Sequence, residues 1–100
     1  MPKAVFYCSY KLKKDVNKAE FLLVAEKLNN EYISQQLGYI GWQQLVEEDT
    51  WLDLIFFETM SDAENFVSNS EKAGKLAEDF YFFINLNSCK QHIYLVEKEY

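Results

Sequence analysis

Apolar and polar positions alternate from Ala4 to Lys11, where Val5, Phe6, Tyr7 and Tyr10 supply β-forming side chains, so a first strand is predicted there. Lys13 to Val16 reads as a polar turn. The period then changes. Phe21, Ala25, Leu28 and Tyr32 recur at helical spacing, Leu22 and Val24 widen the stripe, and Asn17 with Glu20 has capping-box spacing, so a helix is expected from Asn17 to about Gln36. Gly38 suits a left-handed residue closing it. Tyr39–Glu47 and Trp51–Glu58 read as two strands of a hairpin joined by the polar turn Glu48-Asp49-Thr50. Ser61 and Glu64 form a second capping-box pattern, opening a short helix that carries Ala63, Phe66 and Val67. Gly74 is placed to interrupt it before a further helical piece with Leu76, Ala77, Phe80 and Phe83. Ser88 to Glu97 is the last strand.

The predicted order is β-α-β-β-α-β. With right-handed crossovers this gives a ferredoxin-like α+β domain over residues 1–100: a four-stranded antiparallel sheet with helices on one face. Such a sheet normally leaves its other face polar. Here Leu52, Leu54 and Phe56 alternate with Trp51, Ile55 and Phe57, so both faces are apolar. No third layer remains in the sequence to cover the second face. A second copy of the chain, in a homodimer, is the simplest cover.

Composition sharpens this picture in two respects. Aromatic residues make up 17% of a 100-residue chain, more than so small a core hides easily, so some are expected at a pocket or a partner surface. The net charge of −6 removes the basic footprint that nucleic-acid binding or docking to an anionic membrane requires; Lys11, Lys13 and Lys14 are the one short basic cluster. No apolar run approaches the ~20 residues of a membrane helix, and a strand starting near Ala4 leaves no room for a signal peptide, so the cytoplasm is the expected compartment. Cys8 and Cys89 lie in strand-like runs without zinc or CxxC spacing and read as buried thiols.

The run Leu37-Gly38-Tyr39-Ile40-Gly41-Trp42, the hairpin to Phe57, and then Glu58, Ala63, Phe66 and Phe80 resemble the antibiotic-biosynthesis monooxygenase family over nearly the whole chain. The resemblance implies a dimeric α/β barrel of two ferredoxin-like subunits, with a pocket between the sheet and the second helical region. It implies either cofactor-free oxygenation of an aromatic or quinol substrate or, in some members, haem degradation. Haem-degrading members use an Asn on the first strand, a helical Trp and a helical His. Their Asn position falls near Ser9 and the Trp position at Phe66, and neither helix holds a histidine, so this chain departs from the haem-degrading pattern.

Three polar residues are candidates for catalysis. His92, the sole histidine, is either a general acid/base or a half-exposed strand residue with one hydrogen bond. Asp53 is the one charge inside the third strand. If it faces inward among Trp51, Ile55 and Phe57 it is desolvated, and its raised pKa suits a base; otherwise it is a solvent-facing or partner-paired carboxylate, or a guard against wrong strand pairing. Ser9 can hydrogen-bond a substrate. Tyr7, Trp42, Trp51, Phe66 and Tyr94, with Tyr10 and Tyr81, either line a pocket for a small apolar or aromatic ligand or fill core and dimer interface. Glu47-Glu48-Asp49 lacks the glycine and oxygen spacing of a cation loop, and no cofactor motif occurs. The expected activity is that of a small-molecule-binding protein acting as a cofactor-independent monooxygenase. The alternative is a non-enzymatic dimeric ligand-binding or regulatory module.

Overall fold

The computed structural model describes residues 2–100. Its strands are β1 (Ala4–Leu12), β2 (Tyr39–Glu47), β3 (Thr50–Phe57) and β4 (Ile84–Leu95); its helices are α1 (Lys18–Glu31), α2 (Met60–Ser68) and α3 (Lys75–Tyr81). The strands form one antiparallel sheet in the order β2-β3-β1-β4. The first strand in sequence thus lies at the centre, paired on both sides, as the ferredoxin-like reading requires.

Local chemistry explains most element boundaries. Asn17 caps α1 by accepting the Glu20 N–H at 3.0 Å. The helix ends at Glu31, short of the predicted Gln36, and a 3-10 turn over Ile33–Gln35 completes the descent to the sheet. Gly38, at φ +80°, follows that turn and makes the left-handed reversal into β2. The second cap departs from expectation. Thr59, not Ser61, caps α2, its hydroxyl accepting the Asp62 N–H at 3.1 Å. Thr59 with Asp62 offers the same three-residue spacing and sits two residues after the strand. Gly74 (φ +55°) breaks the second helical region, as predicted, between a 3-10 turn at Ser70–Ala73 and α3. β4 starts at Ile84 and not at Ser88, so Asn85 and Asn87 extend the strand ahead of an irregularity in its pairing with β1.

Alternation decides which face meets the helices. Ala4, Phe6, Cys8 and Tyr10 of β1 and Trp51, Asp53, Ile55 and Phe57 of β3 point inward and are all buried. Phe21 of α1 anchors the core, with ring centroids 5.1 Å from Phe80 and 5.2 Å from Trp51. Each such buried aromatic contributes roughly 1.5–3 kcal/mol. On the opposite face Leu52, Leu54 and Phe56 are only half-buried. Tyr7, His92 and Tyr94 form a mutually packed trio there, with centroids 5.7–5.9 Å apart. No helix of the described residues is long and apolar enough to cross a membrane.

Candidate functional site

A cavity of about 190 Å³ lies between the inner sheet face and the second helical region. Its floor is Phe6, Cys8, Asp53 and Ile55 from β1 and β3; Trp42 of β2 and Phe66 of α2 flank it. Ala73 and Ala77 form part of its roof, on the two sides of Gly74. Their small side chains leave the space that larger residues at those positions would fill.

Asp53 is the chemical centre of this cavity. In register it lies between Cys8 and Gln44, and only 4% of its surface is exposed. Tyr10, 1% exposed, donates its hydroxyl to Asp53 Oδ1 at 2.8 Å. Burial is the main influence on the carboxyl and pushes its pKa up to about 7; the donors of Tyr10, Trp42 and Gln44 oppose that rise without cancelling it. Trp42 and Gln44 are thus close enough to favour the anion. Even so, neither Trp42 Nε1 nor Gln44 Nε2 reaches hydrogen-bond geometry with an acceptor among the described residues, although both atoms are buried. A carboxyl of this kind exchanges its proton near neutrality, which suits a general base.

Two other groups on the cavity wall, Cys8 and Tyr81, hold their protons at neutral pH. Burial, reinforced by the nearby Asp53 charge, pushes the Cys8 thiol up to about 12, so it is no nucleophile at neutral pH. Burial likewise takes the Tyr81 phenol to about 12, although its ring is partly exposed. Cys8 and Cys89 are free thiols. Among the described residues no group of three or more His, Cys, Asp or Glu side chains converges as metal ligands.

The structure separates the three polar candidates. Asp53 faces the cavity, whereas Ser9 and His92 lie on the opposite face of the sheet, because their register partners Leu52 and Tyr7 have outward parity. The two cannot reach a molecule bound beside Asp53. The aromatic candidates divide in the same way. Trp42 and Phe66 border the cavity. Tyr7 and Tyr94 stand with His92 on the open face, and Trp51 is spent on Phe21 in the core. Tyr10 serves the site through Asp53 and does not border the cavity. Sequence reasoning did not select Cys8, Ala73 and Ala77 as cavity residues. The available signal was parity for Cys8, two residues from Tyr10 on one strand, and small size at helical spacing for the alanines. Haem does not fit: the cavity holds far less than a porphyrin, and no histidine borders it.

No family model matches the chain, and no curated protein matches it. Solved structures do match. SnoaB, a cofactor-independent oxygenase from Streptomyces nogalater, is 11% identical and superposes with a TM-score of 0.78 over 99% of this chain and 97% of its own. A candidate antibiotic biosynthesis monooxygenase from Caulobacter crescentus is 12% identical, with a TM-score of 0.74 over 97% of this chain and 92% of its own. A dimeric ferredoxin-like protein from an uncultured marine organism is 13% identical, with a TM-score of 0.67 over 100% and 92%. At these identities the likeness establishes the ferredoxin-like α+β fold.

Proposed function

We propose that this chain is a member of the antibiotic-biosynthesis monooxygenase group, working as a cofactor-independent monooxygenase on a small aromatic or quinol-like substrate held between sheet and helices. One observation carries the reading: a single buried carboxyl, poised near neutrality, faces an otherwise largely apolar cavity. The fold shared with a cofactor-independent oxygenase supports it.

Asp53 removes a proton from the bound substrate, and Tyr10 holds the carboxylate in place. The resulting electron-rich anion supplies the electrons that reduce dioxygen. Dioxygen adds at the deprotonated ring carbon to give a hydroperoxide, whose O–O bond breaks as the remaining hydrogen on that carbon is lost, leaving a carbonyl and water; the substrate supplies all four electrons, so no separate reductant is required. The apolar walls exclude bulk water from the anion. The open sheet face, with Leu52, Leu54 and Phe56, is covered by a second copy in a homodimer, and the protein works in the cytoplasm.

Oxygen uptake across a panel of quinols and hydroxylated aromatics tests this. Uptake that Asp53→Asn lowers by about 100-fold or more supports it. No uptake with any member, together with ligand binding unaffected by that change, ends it. Phe66 on the cavity wall can neither ligate a metal nor transfer a proton. That favours a second reading, a dimeric ligand-binding module without turnover, which saturable uptake excludes.

A further inference from the structure

Where the cavity opens decides how a ligand lies in it. We infer that the ligand enters at the β4 edge of the sheet and binds end-on: a single-ring phenol or quinol with its hydroxyl toward Asp53 and, opposite that hydroxyl, an uncharged or cationic tail that reaches the mouth beside Glu71. The inference rests on the cavity being the ligand site, as proposed above, and not on oxygenase turnover.

The position of the mouth comes first. Of the residues that border the cavity, Ser70, Glu71, Tyr81 and Gln91 are exposed, and the others are buried or half-buried. A surface groove shares Ser70, Glu71 and Tyr81 with the cavity. These four residues therefore mark the opening to solvent, between the 3-10 turn at Ser70–Ala73, α3 and the edge strand β4.

Register gives the depth. Gln44, Asp53, Cys8 and Gln91 form one row across the sheet, from β2 to β4. Asp53 lies two strand spacings from Gln91, about 10 Å. Gln91 thus stands at the mouth and Asp53 at the inner end, with Cys8 between them. Phe6, Ile55, Phe66 and Phe80 supply apolar wall. A cavity of ~150 Å³ in another protein accommodates benzene, so about 190 Å³ holds one ring. With that ring bonded to Asp53, a substituent opposite its hydroxyl points to the mouth. A substituent beside the hydroxyl meets the buried wall.

Charge selects the tail. Glu71 stands at the mouth and Glu78 lines the adjoining groove, while no basic residue among the described residues borders either space. Lys72 lies in the same turn but borders neither, and Lys75 of α3 is bound to Asp79 at 2.6 Å. A carboxylate tail meets like charge there, and an ammonium tail meets opposite charge. At an exposed mouth the preference is a few-fold.

Titration calorimetry of the wild-type protein under anaerobic conditions at pH 8 tests the inference, with four probes: 4-propylphenol, 2-propylphenol, tyramine and 3-(4-hydroxyphenyl)propionate. The 4-isomer is expected to bind at least about tenfold tighter than the 2-isomer. Tyramine should bind at least about threefold tighter than the propionate. Glu71→Gln should narrow that second gap and leave 4-propylphenol nearly unchanged. Gln91→Trp, which fills the mouth, should remove the advantage of the 4-isomer. Equal or tighter binding of 2-propylphenol by the wild type, equal or tighter binding of the propionate than of tyramine, or no binding by any probe would each overturn the inference, and none of these outcomes depends on a variant folding. The two proposals fail separately. Preference for the 4-isomer and for tyramine without oxygen uptake on any aromatic retires the oxygenase and keeps this binding mode. Oxygen uptake by a protein that lacks those preferences does the reverse.

Discussion

Tyr10 and Asp53 sit on neighbouring strands, 43 positions apart in sequence, and meet inside the core through a 2.8 Å hydrogen bond from the phenol to Oδ1. The phenol is held far above its ordinary pKa, first by burial and then by the Asp53 charge, so it acts only as a donor. This contact partly offsets the cost of burying a carboxyl. It also engages one of the two carboxylate oxygens.

Tyr10→Phe removes that donor at nearly constant volume. The Asp53 carboxyl should then titrate higher than its present value of about 7, since the tyrosine bond favours the anion. Loss of stability at pH 8 should be about 1–3 kcal/mol. Carboxyl NMR titration reads the first effect and urea unfolding the second. A midpoint that stays put or falls would show that the contact does not tune Asp53.

The pH dependence of stability follows from the same group. The folded carboxyl holds its proton to about pH 7, whereas an unfolded aspartate releases it near 3.8. Between these values the native state binds more protons than the unfolded state, so this stabilisation is full at low pH and declines as pH rises through the window. Its total is roughly 4 kcal/mol. Tyr10, Cys8 and Tyr81, which pack around the carboxyl, stay protonated well above neutrality and add no slope there; Glu71 is the other acid on the cavity wall. Asp53→Asn should remove this component and be more stable than wild type at pH 8. Urea unfolding of both proteins at pH 5 and pH 8 checks this, and an unchanged difference between the two pH values would refute it.

Gly38→Ala should be costly. The position has φ +80°, and an added methyl would overlap the Asp62 side chain at the first turn of α2. A loss of roughly 2–3 kcal/mol is expected in chemical unfolding. Gly41→Ala is the control: no atom lies within 4 Å of the added carbon, and the change should stay within about 0.5 kcal/mol. Equal effects at the two sites would contradict the steric account.

Leu54→Lys places a charge at the centre of the apolar open face without touching the cavity side of β3. The wild type is expected to sediment as a dimer. The variant should raise the dissociation constant by about 100-fold or more and keep its far-UV spectrum. A wild-type monomer at micromolar concentration would remove the dimer from the proposal.

Most of the fold was legible because period and parity are local. The alternation in β1 and β3 and the helical stripe from Phe21 to Leu28 fixed both element type and the set of residues sharing a face. Which of the two apolar faces met the helices was not legible, since Leu52, Leu54 and Phe56 are as apolar as the inward set. That ambiguity explains the divided site. Asp53, Ser9 and His92 were grouped for their chemistry, and register then put Asp53 on one side of the sheet and the other two on the other. The Tyr10–Asp53 contact was beyond reach for a related reason: it depends on strand order as well as parity. The cap at Thr59 was missed because two overlapping patterns offered the same spacing.

The central position of β1 also bears on how the protein is made. β1 leaves the ribosome before the other three strands but borders β3 on one side and β4 on the other, and β4 is translated only after the hairpin and both helical regions. Until then one edge of β1 has no partner, and the cavity floor that Cys8 and Asp53 share with Gln91 of β4 is incomplete. The nascent chain therefore passes through a stage in which a β-rich, aromatic strand is open to other chains. Long-range pairing of this kind folds slowly. Yield in a cell should thus respond to translation speed and chaperone supply more strongly than the stability of the finished protein would suggest.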